Sequence, residues 1–212
     1  MHSGRSPHPT EPPSNGAVEN GGSYALTMLA RLLPAAACVL LLVPAAAEAK
    51  TVGGCKIKPR TQCAGKKLDG AKLNNSSLSN ANFRGAHLSK VQLRSSNLTK
   101  ASFHKADLYM ADLRGSDLKE ADLAYANVTY ASASNARFRY ARLLRADLYK
   151  ADLYKADLRD TDLRYAKLGD ANLNGADFEN ANLQKADLCG ANLTNANLSN
   201  ADLTGAKCAP KS

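Results

Sequence analysis

The sequence predicts an all-β solenoid in which four five-residue repeats close each square coil. Between Leu68 and Leu203 a large apolar residue occupies every fifth position without insertion or deletion. Of these 28 positions, 22 are Leu and four are Phe, and Val128 and Ala133 fill the other two. Two places earlier stands a small residue, Ala at 22 of the 27 positions from Ala71 to Ala201, and Asp or Asn most often lies between. On an α-helix five residues advance by about 500°, which scatters these leucines around every face. In a flat strand side chains alternate with a period of two, so an odd repeat sends every second Leu into water. A corner of about 90° after each unit turns every Leu and its preceding Ala inward, and successive coils then pair as parallel strands. Dividing 28 units by four gives seven coils, a rod of roughly 34 Å at about 4.8 Å per stacked strand.

Composition agrees with a repeat rather than a mixed core. The 212 residues include no Trp and only four Phe, and 28 Lys plus Arg against 19 Asp plus Glu leave a formal charge of +9. An enzyme is the least supported class. The many Asp recur as outward positions along the whole repeat, with no partnering His, no nucleophile beside a base, no phosphate loop and no metal-ligand spacing. No cofactor and no metal are therefore expected.

The stretches ADLYKADLYKADLRDTDLRYAKL and ANLNGADFENANLQKADLCGANL resemble the pentapeptide-repeat family. That resemblance implies a right-handed quadrilateral parallel β-helix over residues 66–208; the segment before it, 50–65, reads as an N-terminal disulfide cap and 209–212 as a short tail. Some members of the family protect DNA gyrase by resembling duplex DNA. A DNA-mimic or gyrase-interacting role is the alternative function here, and the positive charge of this chain opposes it.

Residues 1–27 read as an extension too poor in large apolar groups to order, or as one lying ahead of the true start at Met28. Residues 28–49 follow secretory signal grammar: Arg31, an apolar run from Leu32 to Val43, and Ala47-Glu48-Ala49 as a cleavage site before Lys50. The run is shorter than the ~20 residues of a span and is interrupted by Pro34 and Pro44, so no stable membrane insertion is expected after cleavage. A periplasmic or secreted location follows as the expectation, and with it no nucleic-acid partner.

Removal of Cys38 with the signal leaves Cys55, Cys63, Cys189 and Cys208, an even number suited to an oxidising compartment. The expected bridges are Cys55 to Cys63 and Cys189 to Cys208, one at each end of the repeat. Cys189 is expected to point outward and Cys208 inward.

A coil of four units also predicts which surface residues stack. Asp117, Arg137 and Asp157 form one column and Asp122, Arg142 and Asp162 the next, each Arg between two carboxylates. Lys119, Arg139 and Arg159 are expected to stack cation on cation, and Tyr125, Arg145 and Tyr165 to place a guanidinium between two phenol rings. With Tyr140 and Arg164 they make a basic and aromatic patch, the candidate partner surface. A non-catalytic scaffold or binding module is the favoured reading, its partner an anionic envelope polymer or an acidic protein; a homodimer is compatible with it. Ala133, a lone small residue at a central position, predicts either a void or an inward relaxation of its coil.

Overall fold

The computed structural model describes residues 50–210. The chain enters through a two-stranded hairpin, β1 (Thr51–Val52) and β2 (Cys55–Lys56), paired antiparallel. Its loop is Gly53-Gly54, with φ of 54° and 76°, the left-handed pair that a two-residue hairpin turn of matching twist requires. Gly53 admits no other residue, because a Cβ there would overlap the backbone oxygen of Lys67.

After the hairpin the chain climbs by a parallel ladder in which each rung joins a residue to its equivalent four units on, from Gln62↔Asn82 to Asp187↔Lys207. One rung falls in every unit, so four units complete one turn of the stack, and the first rung lies inside the segment 50–65. The leucines at every fifth position from Leu68 to Leu188 and the four Phe are buried, together with the alanines two places before them. Phe83 and Phe103 stack across adjacent coils with ring centroids 5.1 Å apart. Ala133 is buried as well, between the buried Val128 and Phe138, and its amide keeps its inter-coil bond to Asp152 O at 2.7 Å.

Why the five residue types recur becomes clear from the five amides of one unit, 106–110. Ala106 N–H donates to Phe103 O at 2.8 Å and closes the corner. Asp107 N–H donates down to Ala86 O (2.9 Å), while Leu108 and Met110 donate up to Asn127 O (2.7 Å) and Thr129 O (3.0 Å). The remaining amide, of Tyr109, donates to the Asp107 carboxylate at 3.1 Å. Every donor is thereby satisfied, as a closely packed backbone demands. The Asp or Asn before each Leu is thus a cap for the corner, an Asx turn repeated along the rod; Lys119, Arg159 and Thr204 are held in the same way. At two of the places where Ser or Thr replaces the small Ala, the buried hydroxyl is also satisfied: Ser96 Oγ donates to Leu73 O at 2.8 Å and Thr161 Oγ1 to Leu158 O at 2.6 Å.

The last residue of each unit lies at positive φ, from 51° at Ser95 to 77° at Gly190. Gly and Asn hold many of these places, and no β-branched residue holds any from Arg60 to Gly205. Left-handed backbone is accessible to Gly and Asn and costly for branched side chains. Lys105→Val is therefore expected to destabilise the rod by about 1–3 kcal/mol, whereas Lys105→Asn is expected to be neutral or stabilising; denaturant midpoints of the two variants check it.

The two ends differ. At the first, Cys55 and Cys63 are buried in the core at disulfide distance, Cα–Cα 5.7 Å, with Cys63 in the inward place that Leu holds elsewhere and Val52 and Ile57 packed against it. At the other, Leu193, Leu198 and Leu203 are only partly buried, since no described coil follows. Cys189 and Cys208 are also at disulfide distance, Cα–Cα 4.9 Å. The expected inward direction of Cys208 is not observed. At a central position it takes φ 53° and is exposed; the left-handed conformation ends the ladder and carries its sulfur out to Cys189.

Candidate binding surface

The columns exist as the four-unit period requires: Asp117↔Arg137↔Asp157 and Asp122↔Arg142↔Asp162 are consecutive rungs. The charge pairing within them differs from the expectation of one Arg clamped by two carboxylates. Arg137 and Arg142 each approach only the carboxylate below, Asp117 and Asp122, at 3.9 Å. Asp157 and Asp162 are instead held by the next Arg within their own unit, Arg159 at 2.7 Å and Arg164 at 2.8 Å. A near neighbour on a fixed corner needs less ordering than one reached across coils, so the local pair wins. Each guanidinium fork holds its carboxyl below the usual carboxylate range, the Arg hydrogen bond being the leading cause.

These two carboxylates therefore contribute stability that is present above the ordinary Asp pKa, about 3.9, and is lost as pH falls through their lower folded values. Arg159→Gln together with Arg164→Gln is expected to flatten the decline of stability below about pH 4, leaving the neutral-pH midpoint within about 1 kcal/mol. Urea titrations at neutral and acidic pH measure both.

The row Lys119, Arg139 and Arg159 is likewise less bare than a stack of cations. Arg139 Nε meets Asp160 at 3.0 Å, Arg159 also reaches Asp177 at 3.5 Å, and Lys119 lies 3.9 Å from Glu120. Tyr140 carries Arg139 over its ring at 4.9 Å and Lys119 at 5.9 Å. Arg145 is not sandwiched between phenols. It lies 5.1 Å over Tyr165, while Tyr125 turns edge-on to His104, with centroids 5.5 Å apart. The Nδ1 of His104 is buried without a hydrogen-bond partner, Asp122 Oδ2 being 3.6 Å away. Burial, then Arg84, lowers its pKa below the ordinary imidazole value.

Of a second kind of cation, sequence reasoning picked out Arg145 and missed the three lysines. Arg145, Lys150, Lys155 and Lys185 form no ion pair with a carboxylate among the described residues and lie against phenol rings instead. Lys150 is 5.2 Å over Tyr149 and 5.9 Å over Tyr130; Lys155 is 5.1 Å over Tyr154; Lys185 is 5.4 Å over Tyr165, which it shares with Arg145. Tyr130 also meets Tyr109 and Tyr149 edge-on at 5.9 and 6.1 Å. The signal was present in the sequence as Tyr-Lys pairs at 149–150 and 154–155, and in the column Arg145, Tyr165, Lys185.

Between two of these aromatic corners lies one flat face whose outward rungs are Asp147, Lys167, Asp187 and Lys207. Two adjoining grooves cut it, of about 380 and 570 Å³, sharing Lys167 and Asp187. Gly169 opens the first where its column would otherwise carry a side chain between Tyr149 and Cys189, and Gly205 opens the second above Lys185. Among the described residues no group of three His, Cys, Asp or Glu is placed to hold a metal ion, and no helix is long and apolar enough to cross a membrane. Residues 28–49, expected to be a signal segment, and the expected extension 1–27 lie outside the described residues.

Comparison with known proteins bears on the repeat and not on this surface. No curated protein matches the chain. Among solved structures it is similar to HetL, a pentapeptide repeat protein involved in heterocyst differentiation regulation from Nostoc sp. strain PCC 7120. The identity is 28%, coverage is 68% of this chain and 77% of that one, and the TM-score is 0.41. It is also similar to QnrB1, a plasmid-mediated fluoroquinolone resistance protein (21% identity, 71% and 84% covered, TM-score 0.47). A pentapeptide repeat protein of the Arabidopsis thaliana thylakoid lumen matches at 27% identity, with 51% and 69% covered and a TM-score of 0.31. The family model for pentapeptide repeats matches in eight copies across residues 67–99, 93–119, 116–153, 141–180 and 171–207. With that match over most of the chain, and a ladder that returns above itself every four units, the protein belongs to the pentapeptide-repeat family.

Proposed function

We propose that this chain is a non-catalytic binding rod, exported by residues 28–49 and working in the periplasm or outside the cell on an anionic envelope polymer. In this reading the rod is a right-handed square β-helix of about seven coils, with the length that ~4.8 Å per strand gives, and a bridge at Cys55–Cys63 and at Cys189–Cys208 closes its two ends in an oxidising compartment. The observation that carries the reading is the set of cations seated on phenol rings without a carboxylate partner among the described residues, Arg145, Lys150, Lys155 and Lys185. A cation on a ring stays available to an anion, whereas Arg139, Arg159 and Arg164 already direct their donors to Asp160, Asp157 and Asp162. The net charge of +9 favours the same class of partner and opposes imitation of duplex DNA.

Retention on heparin-agarose tests it. The purified chain is expected to elute at higher salt than from neutral agarose, and Arg145→Gln with Lys150→Gln to lower the elution salt. Equal elution from both matrices contradicts the reading, as does inhibition of gyrase supercoiling by the chain at comparable concentration.

A further inference from the structure

The face between the corners at Tyr165 and Tyr149 holds an arrangement that a simple basic patch does not need. Its two grooves share Lys167 and Asp187 and flank the stack of rungs, one along the Tyr149 column and one along the Tyr165 column, so the face offers a trough on each side of a charged central row. The volumes, about 380 and 570 Å³, each lie within the range of small-ligand sites, about 300–1,000 Å³. The rails are the phenol rings of Tyr149 and Tyr165, 37% and 42% exposed. The floor alternates in sign: Lys167 meets Asp147 at 3.0 Å and Lys207 meets Asp187 at 3.7 Å. One cation at the rim, Lys185, forms no ion pair among the described residues and is steadied only by the Tyr165 ring and hydroxyl (3.4 Å).

Each element narrows the ligand. An exposed ring beside a notch offers a flat apolar platform, which suits the C–H face of a pyranose. Alternating ammonium and carboxylate groups donate to and accept from vicinal hydroxyls, which a phosphate chain does not present. The unneutralised Lys185 takes one carboxylate per sugar in reach. Gly169 keeps the platform open: a Cβ there would come 3.3 Å from the Tyr149 ring, so any side chain lies on or displaces that platform. We infer that this double trough is a subsite for an acidic sugar chain, a polyuronate-like glycan laid along the rod axis, with Tyr149 as the stacking platform and Lys185, seated on the Tyr165 ring, as the carboxylate partner. The inference rests on the reading of the rod as a binder of anionic polymers and names the polymer class and the face.

The test is a calorimetric titration of the purified chain with a galacturonic-acid tetramer, a neutral galactose tetramer and a polyphosphate of matched charge. Binding of the acidic tetramer at least tenfold tighter than either control is expected. Gly169→Gln, which fills the notch without changing charge, and Lys185→Gln are each expected to weaken it about tenfold or more, the value of one lost charge-assisted contact; Lys72→Gln, an exposed rung position on another face near the first coil, leaves it unchanged. Circular-dichroism melts verify that both trough variants remain folded, and should either fail to fold, Lys167→Gln, at the exposed floor position that both grooves share in an interior coil, takes its place. Equal affinity for the neutral tetramer overturns the acidic part, and tighter polyphosphate binding overturns the sugar. Heparin retention that persists without galacturonate binding, or galacturonate binding indifferent to Gly169→Gln, overturns the trough while leaving the anionic-polymer reading. Loss of all three interactions defeats both.

Discussion

Phe103→Ala is expected to destabilise the rod by about 3–5 kcal/mol, with the loss concentrated in the coils either side of it. The ring is wholly buried and stacked on Phe83 at 5.1 Å with an interplanar angle of 13°. Two contributions add: apolar surface is removed, and a cavity remains because the surrounding backbone is pinned. Leu98 and Leu108 on the adjoining faces are held by amide bonds of 2.7 Å to Asp117 O and Asn127 O, so the walls cannot close around the missing ring. Since each coil leans only on its neighbours, a local defect in a solenoid splits the unfolding transition rather than shifting it as one unit. A broadened denaturant transition, with hydrogen exchange faster over residues 83–123 than over 143–188, is the expected pattern. Uniform loss of protection along the whole chain contradicts nearest-neighbour coupling.

The second large effect is at the far end. The coil from Ala191 to Lys207 has only a lower neighbour: Asn192, Asn197, Asp202 and Lys207 donate down to Ala171, Ala176, Ala181 and Ala186, while among the described residues Leu193, Leu198 and Leu203 have no backbone acceptor above them. The loss of the inter-coil bonds on one side and leucines that are only partly buried leave it marginal. The Cys189–Cys208 pair, at a sequence separation of 19, spans almost one complete turn, and a bond there restricts the unfolded form of that turn by about 3 kcal/mol. Cys189→Ser with Cys208→Ser is expected to raise amide exchange in residues 192–207 about hundredfold, the equivalent of ~2.7 kcal/mol, with little change before residue 170. Reduction of the native chain reproduces it at this end. Exchange rates indifferent to both treatments would show that the coil is held by packing alone.

Much of this architecture is legible in the sequence because a period of five with one large and one small apolar residue has few geometric solutions. The inward Leu and Ala, the columns that recur every four units and the cysteine pairs at the ends all follow from counting. What counting does not reach is conformation within a unit. The Asp before each Leu reads as an outward charge, yet its first task is to accept the amide of the residue after Leu, as Asp107 does for Tyr109. Gly65, Gly70, Gly85 and Asn75 hint at the left-handed residue closing each unit, but Lys and Tyr occupy the same place elsewhere and mask it. Charge pairing fails for a related reason: stacking places Arg142 beside Asp162, and side-chain reach then gives Asp162 to Arg164. The trough is a matter of missing atoms. Gly169 and Gly205 are ordinary in their units and matter only because Tyr149 and Lys185 stand in the same columns one coil earlier.

The central claim is that each unit pairs with its equivalent one full coil away, through amides that alternate in direction, and couplings across hydrogen bonds in NMR observe it directly. The Leu113 amide is expected to couple to the carbonyl of Ser132 in the coil above, and the Ser132 amide to the carbonyl of Ala111 in the coil below. The same pattern is expected to recur at Leu118 with Arg137 and Leu148 with Lys167. Amides of these Leu and rung residues coupled within their own coil, as in a helix, or to a coil offset by any other number of units, would contradict the account.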